Sequence, residues 1–163
     1  MLYNELIEVF MLKGISQSDL RLLRVINSYG CYFLTLAEAS PVIYKGDEGC
    51  QKLNGIWAKA TDLGIISGDI NHDGDLDDDG EAEIQNPTAL AKMLGLNVRY
   101  DGTHHKADEA IPASVKIVIG QYWWKGGHFV LLNKSKKVIF DSYGKSNTVK
   151  NGHLKSMRYF YAD

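Results

Sequence analysis

The sequence predicts a single α+β domain, with helices in the first half and an antiparallel sheet in the second. Apolar residues recur at helical spacing up to Leu96. After Leu96 the pattern changes to short β-branched and aromatic runs separated by Gly, Asn, Lys and Ser. The connections WKGGH and NKSKK have hairpin length, so their flanking strands are expected to be antiparallel. A run of helices followed by a run of strands is typical of α+β folds.

The helical half is predicted to begin with three helices. The amphipathic run NELIEVFMLKG ends at Gly14, and glycine is a common helix terminator. The run SQSDLRLLRVINSYG has a serine as its expected N-cap, at position 16 or 18, and ends at Gly30. A third helix is expected to begin near Cys31 and to end before Pro41, because proline disfavours helical backbone in the preceding residue.

Two further helices precede the sheet. The run EGCQKLNGIWAKATDLGII predicts a fourth helix, which Gly55 weakens. The run NPTALAKMLGL has a strong start signal, with Asn86 as N-cap and Pro87 at the first helical position. The predicted strands that follow are NVRY, VKIVIGQYW, HFVLLN, KKVIFDSY and MRYFYA.

The bulk composition fits one domain over residues 1–163. Hydrophobic residues make up 45% and charged residues 23% of the chain, as in ordinary globular proteins. No apolar run is long enough to span a bilayer, and the first residues lack the features of a signal peptide. We therefore expect a cytoplasmic protein, or one released without a signal. Lys and Arg are scattered and form no recognised binding motif, so we expect no nucleic acid as partner. We also expect a monomer that does not bind a membrane.

Cys31 follows a glycine at the start of a predicted helix, where a reactive thiol would be placed. The thiolate is the nucleophilic form, and free cysteine has a pKa of about 8.5. A helix N-terminus favours negative charge, and a neighbouring histidine can take the proton. Cys31 is therefore the candidate nucleophile, with a buried core thiol as the alternative. Cys50 has no such setting and is interpreted as structural.

His128 is the candidate partner of Cys31. It follows Gly126–Gly127 and opens a strand, so another element can approach it closely. The next strand ends in Asp141, and two antiparallel strands can place the first residue of one beside the last residue of the other. Asp141 could then hold one ring nitrogen of His128 and fix its tautomer. The alternative is a structural histidine and a turn-forming aspartate.

The motifs YGCYFLTLAEA, GGHFVLLN and VIFDSYG resemble those of the papain-like cysteine peptidases. The resemblance is to the branch that includes the bacteriocin-processing peptidases of double-glycine leaders, and it runs from about Val25 to Gly144. It implies a papain-like fold, with the Cys in the helical half and the His and Asp in the sheet. It also implies Cys31 as nucleophile, His128 as general base and Asp141 as the residue that orients the base.

One position departs from that family pattern. The family has a glutamine about six residues before the cysteine, and its amide supports the oxyanion; Val25 stands there in this chain. Asn27 has the right amide chemistry at a different offset. Three alternatives remain: Asn27 substitutes for the glutamine, the oxyanion site is built differently, or the protein is a degenerate relative.

An acidic stretch, DINHDGDLDDDGEAE, resembles the start of an EF-hand or dockerin calcium loop. Alternating oxygen ligands on a tight turn at Gly74 suit a hard cation such as Ca²⁺. A loop insertion at about residues 67–85 is therefore predicted to bind calcium, although Gly80 stands where a bidentate Glu is usual. The alternative is a solvated acidic loop without metal. The candidate ligands are Asp69, Asn71, Asp73, Asp75, Asp77, Asp79 and Glu81.

Together these features predict a thiol hydrolase that cleaves an amide bond and is stabilised by calcium. The substrate would be a peptide, an isopeptide or the peptide stem of peptidoglycan. The alternative is a non-catalytic, calcium-stabilised binding module on the same fold. Of the aromatic residues near the candidate triad, Trp123, Trp124 and Tyr143 are expected in the core, with a cleft wall as the alternative.

Overall fold

The computed structural model describes residues 15–67 and 82–163, which form a mixed α+β structure as predicted. The first predicted helix and almost all of the acidic stretch lie outside these ranges. The helices are α1 (Arg24–Tyr29), α2 (Cys31–Ala39), α3 (Gly46–Asp62), α4 (Pro87–Met93) and α5 (Asn147–Asn151). The strands are β1 (Ile66–Ser67), β2 (Glu83–Ile84), β3 (Val98–Tyr100), β4 (His105–Lys106), β5 (Val115–Trp123), β6 (Gly127–Leu132), β7 (Val138–Phe140) and β8 (His153–Ala162). No helix in the described ranges is long and apolar enough to cross a membrane.

Six of the described strands form one antiparallel sheet, as predicted for the second half of the chain. The order is β3-β8-β5-β6-β7, and β4 also pairs with β8. Hairpins join β5 to β6 and β6 to β7, with Tyr122 opposite His128 in the first of them. The two short strands β1 and β2 pair separately, with Ile66 opposite Ile84. Their pairing brings residues 67 and 83 side by side.

The sheet packs on both faces because its strands alternate in the residues they bury. Ile117 and Ile119 of β5 join the large core that includes the helices, and Val118 joins a smaller core on the other face. Helix α2 packs against β6 and buries every residue from Tyr32 to Glu38. Such complete burial holds the first turn of α2, which carries Cys31, in a fixed position beside the sheet.

The second predicted helix is shorter than expected. It begins at Arg24 rather than at a serine N-cap, and the preceding residues form turns. The Asp19 carboxylate accepts the Arg21 N–H at 2.9 Å, a local bond that competes with helical hydrogen bonding. The N–H of Gln17 donates instead to the carbonyl of Ser142 at 2.7 Å. The predicted serine cap was therefore wrong because local and tertiary bonds replace the first helical turns.

The later helices follow their local signals closely. Helix α4 begins as predicted, with the Asn86 side chain accepting the Ala89 N–H at 3.0 Å and Pro87 in the first position. Helix α3 ends at Asp62, before the predicted end, because Gly64 takes a left-handed conformation with φ of 74°. Ile66 then lies in β1 instead of the helix.

Candidate active site

Cys31, His128 and Asp141 lie together where α2 begins, β6 begins and β7 has just ended. His128 Nε2 and Asp141 Oδ1 are 2.7 Å apart, and both side chains are buried. Cys31 is the other neighbour that favours the protonated His128 ring, so the sulfur and the imidazole lie close together. Because Nε2 is engaged by Asp141, Nδ1 is the ring nitrogen left for the sulfur. The structure thus brings the three predicted side chains together in one site.

The sulfur of Cys31 sits at the start of α2 on a short backbone connection. Gly30 separates α1 from α2, and its carbonyl accepts the first hydrogen bond of the new helix from Leu34 at 2.8 Å. A side chain at Gly30 would meet the carbonyl of Ile26 and would lie 2.6 Å from Ile26 Cγ2. Glycine is therefore required at position 30, because the backbone and side chain of Ile26 in α1 leave no room for a larger residue. Cys31 Sγ also accepts the backbone N–H of Phe129 at 3.4 Å, which stabilises negative charge on the sulfur.

Asp141 is fixed by the backbone of the turn that follows β7. Its Oδ1 accepts the N–H of Tyr143, and its Oδ2 accepts the N–H of Ser146, each at 3.0 Å. Gly144 closes the turn with a left-handed φ of 85°. Burial would raise the pKa of Asp141, but its hydrogen bonds to His128, Ser146 and Tyr143 outweigh burial and hold the pKa well below 3.8. The carboxylate therefore stays charged in this site.

His128 is held in its protonated form by its two partners. It is only 4% exposed, and this burial favours the neutral ring. Hydrogen bonds to Asp141 and Cys31, together with their charges, outweigh burial and raise the pKa of His128 to about 9. At neutral pH the ring is then an imidazolium between a carboxylate and a sulfur.

Tyr143 covers the histidine and ties its turn to α1. The two rings are 5.4 Å apart between centroids and tilted by 30°. The Tyr143 hydroxyl donates to the backbone carbonyl of Asn27 at 2.8 Å. Tyr143 is 44% exposed, so it forms a wall of the site and not part of the core.

The Asn27 side chain is used structurally and does not offer an amide to the cysteine. Its Nδ2 donates to the carbonyls of Gln17 at 2.6 Å and Asp19 at 3.0 Å. A side-chain amide has only these two N–H donors, so none is left for an oxyanion. Val25, at the position expected for glutamine, is buried in the core. The role suggested for Asn27 in the oxyanion site therefore does not fit this arrangement.

Gln17 was missed by the sequence reasoning, although it holds the site together. It is 1% exposed, and its Nε2 donates to the carbonyls of Ile26 at 3.2 Å and Asn27 at 3.1 Å. Its Oε1 accepts the hydroxyl of Ser142 at 2.6 Å. It thus connects α1 to the turn that holds Asp141. A polar residue between two serines carries no sequence signal for such a role.

A cavity of about 560 Å³ opens beside Cys31, between α2, the sheet and the residues that precede α4. Trp123, 40% exposed, forms part of its wall, and Trp124 is exposed to a similar extent. Neither tryptophan therefore belongs to the core. Sequence reasoning did not identify the polar groups of this cavity, which include Tyr32, Gln121 and Arg158.

The predicted calcium ligands from Asp69 to Glu81 lie outside the described residues, so calcium binding stays a prediction. Strands β1 and β2, not helices, directly flank that segment. Within residues 15–67 and 82–163, no group of three or more His, Cys, Asp or Glu side chains is arranged to hold a metal ion.

Comparison with known proteins identifies a family but no described activity. The chain belongs to the family described as "Protein of unknown function, DUF261", which matches residues 11–162. The matched region includes Cys31, His128 and Asp141. No curated protein and no solved structure matches the chain.

Proposed function

We propose that this protein is a cysteine hydrolase that cleaves an amide bond. Cys31 is the nucleophile, His128 the general acid and base, and Asp141 the residue that orients His128. The grouping of sulfur, imidazole and carboxylate from three separate elements, with His128 hydrogen-bonded to Asp141, is the observation that carries the proposal. A structural histidine needs neither a cysteine at a helix start nor a carboxylate held by two backbone N–H groups.

The resting site would hold its proton on His128. The pKa of about 9 favours the imidazolium at neutral pH. In the proposed mechanism the reactive form of Cys31 is the thiolate, with its proton held by His128. The backbone N–H of Phe129 and the start of α2 both favour that negative charge. Asp141 balances the imidazolium and keeps its ring in one orientation.

The reaction would proceed in two steps. The thiolate of Cys31 attacks the carbonyl carbon, a C–S bond forms, and the carbonyl oxygen takes the negative charge. When the oxyanion collapses, the C–N bond breaks, and His128 gives its proton to the leaving amine. In the second step His128 takes a proton from water, and the hydroxyl attacks the thioester. The acid product then leaves, and the thiolate–imidazolium pair is restored.

The oxyanion of this reaction would be bound mainly by backbone N–H groups. The N–H of Cys31 precedes the first hydrogen bond of α2, so the helix itself does not use it. Val25 and Asn27 supply no side-chain donor. Loss of one such donor lowers kcat by about 10²–10³-fold in enzymes that have it. We therefore expect slower turnover than in a hydrolase with a complete oxyanion site.

The papain-like assignment belongs to this proposal. Its support is the placement of the cysteine at the start of a buried helix, with the histidine at the start of β6 and the aspartate directly after the neighbouring strand β7. Peptides, isopeptides and the peptide stem of peptidoglycan all contain the required amide.

The structural role proposed for calcium can be tested independently of the hydrolase. Ca²⁺, but not Mg²⁺, should raise the Tm of the full chain, and EGTA should reverse the increase.

The second candidate function is a binding module that uses the same site without chemistry. It is favoured by the missing side-chain donor at Val25 and by the structural use of Asn27. Under this alternative Cys31 would have no more reactivity than an ordinary thiol of equal exposure.

Iodoacetamide labelling of the full chain separates the two functions. We expect Cys31, followed by peptide mass spectrometry, to react about tenfold faster than glutathione slightly below neutral pH. The His128→Ala variant should lose that advantage. Buried Cys50 serves as an internal control for unfolding and should stay unlabelled in both proteins. Equal rates for Cys31 and glutathione, unchanged by His128→Ala, would overturn the proposal.

A further inference from the structure

Arg158 is a buried cation in the wall of the cavity beside Cys31. It is 5% exposed. No carboxylate of the described residues lies within 4 Å of its guanidinium nitrogens. A buried charge is unfavourable unless it is paired or fully hydrogen-bonded. Within residues 15–67 and 82–163, Arg158 therefore lacks the charged partner that its burial calls for.

The bonds that Arg158 does make engage one nitrogen only. Its Nη1 donates to Ser156 Oγ at 2.8 Å and, more weakly, to the carbonyl of Met157 at 3.5 Å. Its Nε and Nη2 donate no hydrogen bond within the described residues. The ring of Phe129, 5.5 Å from the guanidinium carbon, compensates only part of the charge. An edge of the guanidinium thus remains available to a ligand.

Two other polar groups of the cavity are also unpartnered donors. Tyr32 is buried, and its hydroxyl has no hydrogen-bond partner among the described residues. Burial raises the pKa of Tyr32, so the hydroxyl stays protonated and can donate. Gln121 Oε1 accepts from Ser156 Oγ at 3.1 Å, which leaves its Nε2 as a further donor.

Few acidic groups line the cavity among the described residues. Glu83, which is exposed, is the one carboxylate that lines the cavity among the described residues. His104 also lines it, and burial together with the charge of Arg158 lowers its pKa, which favours the neutral ring. Among the described residues, the buried part of the cavity consequently carries the Arg158 cation and several hydrogen-bond donors.

We propose that this cavity binds a carboxylate of the substrate, so that the enzyme cleaves amide bonds close to a carboxylate-bearing residue. Arginine binds carboxylates through two parallel N–H donors, and Tyr32 would donate a third hydrogen bond. The inference rests on the proposed hydrolase function, because the cavity opens beside the nucleophile. The carboxylate is either an acidic side chain or a free chain terminus.

Three reactive probes of nearly equal size test the inference and separate the two sources. N-chloroacetyl-isoglutamine carries a side-chain carboxylate, and N-chloroacetyl-glutamine carries a terminal one. N-chloroacetyl-glutamine amide is the neutral control. We expect at least one carboxylate probe to label Cys31 about tenfold faster than the neutral probe. The faster isomer identifies the source of the carboxylate.

Two cavity variants and one surface variant test which residues cause the preference for the carboxylate probes. Arg158→Met retains an unbranched side chain beside Phe129 and should abolish the preference for the carboxylate probes over the neutral probe. Tyr32→Phe keeps its ring and should reduce the preference by about threefold. Lys155→Met removes an exposed cation that stacks on Trp123 and should leave the preference unchanged. Equal loss in Lys155→Met and Arg158→Met would mean general attraction and would overturn the inference.

The outcomes also separate this inference from the proposed function. If the neutral probe labels Cys31 in a His128-dependent manner but neither carboxylate probe is faster, the hydrolase stands and the carboxylate site fails. If labelling does not depend on His128, the hydrolase fails. In that case, calorimetry of Cys31→Ala with N-acetyl-glutamine and N-acetyl-isoglutamine measures whether the cavity binds a carboxylate. Binding that Arg158→Met removes would retain the carboxylate site, and no binding would overturn it.

Discussion

Gln17 and Ser142 are joined by two hydrogen bonds, although 124 residues lie between them in the chain. The Gln17 N–H donates to the Ser142 carbonyl at 2.7 Å, and the Ser142 hydroxyl donates to Gln17 Oε1 at 2.6 Å. Ser142 follows Asp141 directly, and Gln17 also binds the carbonyls at the end of α1. One buried amide thus sets the distance between the helix that leads to Cys31 and the turn that carries Asp141.

Replacing Gln17 should destabilise the whole domain. Gln17→Ala removes the three hydrogen bonds of a buried side chain and leaves the Ser142 hydroxyl without its acceptor, so we expect the free energy of unfolding to fall by about 2–4 kcal/mol. Urea denaturation measures the change. Ser18→Ala, at an exposed neighbour, should stay within about 0.5 kcal/mol of the wild type. A neutral Gln17→Ala would show that the buried amide does not clamp the site.

Gly30→Ala should be destabilising because there is no room for a side chain at the α1–α2 junction. The new methyl group would meet the Ile26 carbonyl, so we expect a loss of about 1–3 kcal/mol in unfolding free energy. Gly55→Ala is the matched control, because its methyl group meets nothing within 4 Å on α3. That variant should gain about 0.5–1 kcal/mol from helix propensity. Equal effects in thermal denaturation would contradict the assigned role of Gly30.

Tyr32→Phe should not destabilise the free protein. The variant removes a buried hydroxyl that has no partner among the described residues, so we expect unchanged stability or a gain of up to about 1 kcal/mol. Tyr44→Phe provides the contrast, since the Tyr44 hydroxyl donates to the Leu94 carbonyl at 2.7 Å. That change should lower stability by about 0.5–1.5 kcal/mol. If Tyr32→Phe is the more harmful substitution, its hydroxyl has a partner within the protein.

His128 should titrate far above an ordinary histidine. Its folded-state pKa of about 9 exceeds the usual 6.5, so its protonation stabilises the folded state fully below pH 6.5. This contribution is lost as the pH rises through about 9. Two-dimensional NMR of the histidine rings should show one ring that titrates near that value.

Asp141→Asn provides the comparison for that titration. Removal of the carboxylate charge should lower the pKa of His128, because Asp141 is its strongest favourable partner. The difference in unfolding free energy between wild type and variant should shrink as the pH rises from neutrality to about 9. A His128 ring that titrates at 6.5 in both proteins would refute the predicted ion pair.

Much of the fold was predictable because its signals are local. The predicted strand VKIVIGQYW coincides with β5, whose alternation of Ile117, Val118 and Ile119 encodes two buried faces. Asn86 and Pro87 marked the start of α4 for the same reason. Strand β4 was missed because His105 and Lys106 have no apolar pattern and pair only when β8 lies beside them.

In the candidate site, too, the residues with local sequence signals were predicted and those that depend on tertiary contacts were not. Cys31, His128 and Asp141 each occupy a recognisable local position, namely a helix start, a strand start and a strand end. Arg158 was missed because the run MRYFYA resembles any strand, and its burial arises only when other strands flank β8 on both sides. The interpretation of Asn27 failed because amide chemistry does not reveal which carbonyls lie within reach.

The position of β8 in the sheet has a consequence for the order of folding. It is the last of the described strands in the chain, yet it pairs with β3 and β4 on one side and β5 on the other. The β5–β6–β7 meander contains short-range contacts and can form early, whereas β8 must close long loops to reach β3. The hairpin that presents His128 can therefore form before the strand that brings Arg158. On this order His128, the proposed partner of Cys31, is in place first, and the residue proposed to select the substrate arrives with the final closure of the sheet.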